Sequence, residues 1–92
     1  MKNRIKFIVL EIIVNAENEA LNETILNKIA VSCSVARRTV KRWLDNQLQP
    51  NLAATSNILK VLQEYQPELT FEDLIKENPI QKKVKDKYKL AN

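Results

Sequence analysis

At 92 residues, with 45% hydrophobic and 28% charged side chains, the chain is long enough for one domain with a modest core and too apolar for wholesale disorder. It has no histidine, no glycine and a single cysteine, which excludes intramolecular disulfides, imidazole or multi-thiolate metal sites, Ser-His or Cys-His nucleophiles and glycine-rich phosphate loops. Net charge is +4 with a pI near 9.3, and the cations gather in 37–42 and 82–89, while 11–23 and 64–77 are mainly acidic.

The N-terminal pattern predicts a helix over 3–16. Ile5, Ile8, Val9, Ile12, Ile13 and Ala16 share one face at helical spacing, and Phe7, Leu10 and Val14 form a second stripe at i, i+3 and i+7. The many β-branched residues would equally suit a buried strand; the helical pattern that follows decides for helix. The second stripe has two readings, extra core under a later element or a self-association surface, because a helix apolar on two sides must bury both.

Residues 15–22 read as a polar connection. Asn22 or Thr24 is the expected cap of a second helix running to about Ser32, with Ile25, Leu26, Ile29 and Ala30 buried. A break at Cys33–Val35 precedes a third helix from Ala36 or Arg37 to Asp45, with Asn46 suited to a left-handed closing residue. Asn51 caps a fourth helix over 52–65, whose apolar side is Leu52, Ile58, Leu59, Leu62 and Tyr65. After Pro67, Thr70-Phe71-Glu72-Asp73 opens a short fifth helix over 71–77, with Phe71, Leu74 and Ile75 inward. Residues 78–92 are a basic C-terminal tail or a short helix: from Ile80 onward they hold five lysines against one aspartate, with Ile80, Val84 and Tyr88 four residues apart.

The third helix carries the chemistry. Arg37, Arg38, Lys41 and Arg42 fall at i, i+1, i+4 and i+5, one continuous basic stripe, and Val40 and Trp43 lie on another side of the same turns. A helix held by one face and cationic on the other is what a DNA major groove admits. Trp43 reads as core, and Cys33 as a turn residue.

The string Ile29-Ala30, three residues, Ser34-Val35-Ala36-Arg37-Arg38-Thr39-Val40-Lys41-Arg42-Trp43, then Asp45-Asn46 and Pro50, resembles the helix-turn-helix of the Cro/phage-repressor-like (XRE-type) regulators. That family commonly has a Leu-Ala pair, Gly-Val-Ser, Thr-Val, Arg-Trp, an Asn-Gly end and a later proline. Ser34 stands where the family has its turn glycine and Asn46 where it ends on glycine. Leu26 stands where it often has a phosphate-clasping glutamine, and the first helix with its connection is about ten residues longer than usual.

The resemblance implies an all-α bundle of about five helices with a lambda-repressor-like helix-turn-helix. The DNA-binding domain would span 1–77, with the motif over about 26–45 and the recognition helix over about 36–45. Ile29, Ala30, Val35, Val40 and Trp43 would be the structural core of the motif. Ala36, Arg37, Arg38, Thr39, Lys41 and Arg42 would face DNA, Arg37 and Arg38 reading bases, Lys41 a base or a phosphate, and Thr39 and Arg42 phosphates. It further implies a transcriptional regulator, a phage- or mobile-element-type repressor binding an operator as a homodimer in the cytoplasm. No enzymatic activity, cofactor, metal, membrane or small-molecule substrate is expected. The alternatives are a protein-interaction module or antitoxin-like adaptor on the same fold, and an architectural DNA binder without sequence preference.

Overall fold

The computed structural model describes residues 3–75, and these are all-helical. Five helices follow one another: α1 Ile5–Ala16, α2 Leu21–Cys33, α3 Arg37–Leu44, α4 Leu52–Gln63 and α5 Phe71–Ile75. The C-terminal segment 78–92, expected as tail or helix, and the end of the expected fifth helix at 77 lie outside the described residues.

The first helix is a helix, and only one of its two apolar stripes is buried. Ile5, Ile8, Val9 and Ile12 enter the core, whereas Phe7 (61% exposed), Leu10 (45%) and Val14 (70%) face outward and Ala16 is exposed. Of the two readings of that second stripe, core under a later element is therefore not realised among the described residues. Leu52, expected on the inner side of α4, is 73% exposed. It occupies the first position of the helix, and Ile58, Val61 and Leu62 do the burying instead.

The core is a single cluster: Ile5, Val9, Ile25, Ile29, Val40, Ile58, Leu62 and Leu74 are its most enclosed members, drawn from all five helices. Helix α2 lies at its centre, packing on α1, α3 and α4. Ala30, buried, keeps the crossing side of α2 small.

The chain turns three times without glycine. Glu17, Ser34 and Asn46 take left-handed backbone with φ of 52, 55 and 59°. At each, the next amide reaches back five residues: Asn18 N–H to the Ile13 carbonyl (3.3 Å), Val35 to Ala30 (3.0 Å) and Gln47 to Arg42 (2.9 Å). This is the Schellman arrangement, which satisfies carbonyls that a helix end otherwise leaves open. Asn46 thus takes the left-handed conformation expected of it, and Ser34 takes the same conformation where the resembled family has its turn glycine.

Helix starts are less uniform. Asn51 caps α4, its Oδ1 accepting from the Ala54 amide at 2.8 Å. At α5 the Asp73 carboxylate accepts from the Thr70 amide at 2.9 Å, the return half of a capping box. Helix α2 begins at Leu21, ahead of the expected caps Asn22 and Thr24. Its start is set by Asn18, whose Oδ1 accepts from the Ala20 amide at 3.1 Å, so the polar connection is shorter than its composition suggests.

Candidate nucleic-acid interface

Three residues, Ser34 to Ala36, join α2 to α3. Helix α3 is two turns long, about 12 Å at 1.5 Å per residue. Val40, Trp43 and Leu44 are buried beneath it, and Arg37, Arg38, Lys41 and Arg42 are exposed. The expected partition of this helix into anchors and cations therefore holds. Ile29, Ala30, Val40 and Trp43 are buried, while Val35 is half-buried against the core. Ala36 is exposed at the helix start and Thr39 is half-buried at the flank. The helix starts at Arg37 and ends at Leu44, with Ala36 and Asp45 as flanking residues.

The start of α3 runs against helix stability. Ala36 offers no side-chain cap, the first turn has no acid, and two guanidiniums sit at the positive end of the helix dipole. Arg37 is relieved by an ion pair with Glu23 of α2. The last turn is favourable, with Lys41 and Arg42 beside the open carbonyls. Asp45, placed unfavourably at that end, has Lys6 of α1 at 3.5 Å.

Two features of this region carry no signal in local sequence. Lys6 and Lys41 share a groove of about 230 Å³ between α1, α2 and α3, floored by Val9, Leu26 and Leu44. Lys6 thereby joins the cationic side of α3 from a helix otherwise read as core. Leu26 is buried and lies five residues inside α2, so no side chain there is available to clasp an anion.

The second feature is a polar clamp at the C-terminal end of α3. Asn3, 6% exposed, donates from Nδ2 to the Trp43 carbonyl (2.7 Å) and to Gln49 Oε1 (3.0 Å). Its backbone N–H donates to Asn46 Oδ1 (2.7 Å), and Asn46 Nδ2 donates back to the Asn3 carbonyl (3.2 Å). Asn3 Oδ1 accepts from the Ile5 amide at 3.1 Å, which completes the set and starts α1. Each buried polar group here is paired, as burial demands.

Charge is segregated. Residues 3–75 hold eight Lys and Arg against nine Asp and Glu, so the positive excess of the chain comes from outside them. Half of those eight cations are on α3. Acidic side chains gather elsewhere, with Glu11, Glu68 and Asp73 lining a cleft of about 520 Å³ between α1 and the α4–α5 connection. Lys28 packs over the Tyr65 ring at 5.1 Å, and its hydrogen bond to the Tyr65 hydroxyl is the main reason its pKa rises above the usual 10.5.

No family model, curated protein or solved structure matches this chain. The functional reading therefore rests on the chain's own residues and geometry. No helix among the described residues is long and apolar enough to cross a membrane.

Proposed function

We propose that this chain binds duplex DNA, laying α3 in the major groove, and acts as a transcriptional regulator of the Cro/phage-repressor-like kind. The observation that carries the reading is the division of α3. Four cations lie on its open side, three apolar anchors on the other, and the remaining charge of residues 3–75 is net acidic. A basic face set against the acidic remainder of residues 3–75 orients the molecule toward a polyanion before any contact forms. The unfavourable start of α3 supports the same reading, since helix stability alone selects against Arg37, Arg38 and an Ala36 cap.

In this proposal Arg38, with no acid paired to it among the described residues, is the first base reader, donating to O6 and N7 of a guanine. Arg37 joins once it exchanges Glu23 for DNA. Lys41 reaches a base or a phosphate, Arg42 and Thr39 bond phosphates, and Ala36 meets a thymine methyl. A two-fold pair on half-sites about one helical turn apart supplies specificity, and operator occupancy represses. The cytoplasm is where such a regulator works.

Selection of preferred sequences from a random duplex pool, followed by a salt titration, tests this. A palindromic consensus and affinity falling steeply with salt are expected. If wild type and the Arg37→Ala/Arg38→Ala double variant bind every duplex equally poorly, the proposal is wrong.

A second reading is favoured by the exposure of Phe7, Leu10 and Val14 on α1. On it the chain is an interaction module or antitoxin-like adaptor that binds a protein through this stripe. It predicts that Leu10→Asp abolishes partner binding while the α3 variants do not.

A further inference from the structure

We infer that Asn3 is a positioning residue for α3, and that the Asn3–Asn46–Gln49 clamp sets how precisely that helix is presented. The inference rests on the DNA-binding reading and extends it to residues that touch no DNA. Apart from the half-exposed Arg37–Glu23 ion pair, the two-turn helix is held by Val40, Trp43 and Leu44, one line of apolar contact about which it can roll or slide. Apolar contacts resist such motion weakly because they are non-directional. A hydrogen bond to the backbone of the helix is directional. Asn3 supplies it at the Trp43 carbonyl, the one Asn3 contact made directly on α3.

Asn46 makes the hold two-sided. Its side-chain amide exchanges two hydrogen bonds with the Asn3 backbone, as adjacent strands do, across 43 residues of sequence. Its own left-handed backbone ends α3. The closing residue of the helix and the strut that fixes the helix are thus one residue. Gln49 braces both partners, accepting from Asn3 and donating to Asn46 Oδ1 at 3.1 Å. A merely stabilising polar cluster has no need to converge on the end of the cationic helix. Base-edge hydrogen bonds tolerate only small errors of distance and angle, so a loosened α3 loses discrimination before it loses phosphate attraction.

Asn46→Gly is the informative variant, because glycine accepts a positive φ freely and the substitution removes the amide without opposing the turn. Asn3→Ala is its counterpart, and each is used in the full chain after a cooperative unfolding transition is confirmed. If Asn3→Ala does not fold, Asn46→Gly carries the test. First, without DNA, amide exchange at Gln47 accelerates at least about fivefold in either folded variant, while core amides of α2 stay within twofold. Second, the ratio of affinities for the selected duplex and a scrambled one falls at least about fivefold, the low end of one bidentate base contact. Affinity for the scrambled duplex changes less than twofold. An unchanged ratio in a folded variant, or unchanged exchange at Gln47, overturns the inference and leaves DNA binding standing. Wild type that discriminates no duplex overturns both, and that result is read from the wild-type arm alone.

Discussion

Arg37 of α3 is ion-paired with Glu23 of α2, so the helix that carries the cations also carries, on its neighbour, a carboxylate that competes for one of them. Both side chains are about half exposed, and a pair of this kind contributes on the order of 0.2–1 kcal/mol to stability. Glu23→Gln is therefore expected to leave urea stability within about 1 kcal/mol and to strengthen duplex binding several-fold at low salt. Glu19→Gln makes the same change in net charge. Equal gains from both in a filter or anisotropy titration would assign the effect to overall charge and remove Glu23 from the account.

Ser34 holds left-handed backbone at φ 55° and ψ 45° between α2 and α3. For a residue with a Cβ this conformation costs roughly 1–2 kcal/mol. Ser34→Gly should therefore stabilise the protein by about 1 kcal/mol, less what glycine adds to the entropy of the unfolded chain. Ser34→Val should destabilise it by more, since a β-branched residue fits this region poorly. Thermal melts of the two variants and wild type give the order directly.

Ile58 and Leu52 belong to the same helix and differ completely in what they bury. Ile58 is fully enclosed and Leu52 is 73% exposed. Ile58→Ala is expected to cost about 2–5 kcal/mol and Leu52→Ala less than about 0.5 kcal/mol. Equal losses in denaturant titrations would mean that α4 packs differently from the arrangement described.

Cys33, half-buried at the end of α2, has its thiol pKa raised above 9.0 by desolvation, with Sγ 3.6 Å from the Ala54 carbonyl. The thiol ionises more readily once unfolded, so the folded state holds its proton more firmly. The contribution to stability is complete below pH 9.0, the ordinary thiol value, and is lost as pH rises from there through the raised value of the folded state. Alkylation by iodoacetamide at pH 8 should be slower in the native protein than in urea, and a Cys33→Ser variant should lose this pH dependence. Equal native and denatured rates would contradict the burial.

Periodicity made α1 to α5 legible because the spacing of apolar residues along a helix is a local property. The same holds for the partition of α3, where Val40 and Trp43 lie within a turn of the cations they anchor. Asn3 was not legible. Its partners Trp43, Asn46 and Gln49 are 40 or more residues away, and an asparagine near a chain start carries no mark of burial. Glu23 gave no sign of its tie to Arg37, because the pair joins two different helices and helical spacing says nothing of such contacts. Leu52 was misplaced because a helix's first residue satisfies the apolar spacing even when its side chain is left in solvent. The start of α2 was misplaced because the cap-type residues Asn22 and Thr24 lie inside the helix, and the turn that begins it is made upstream by Asn18.

The three left-handed helix ends have a bearing on the unfolded chain as well as the folded one. A glycine at each would relax the native turn and also give the denatured chain its most freely rotating residue three times over. Glu17, Ser34 and Asn46 reverse both effects. Strain at the turns is thus partly offset by a narrower ensemble from which folding begins, and the corners of this molecule are specified as much by what the loose chain is prevented from exploring as by what the compact one holds.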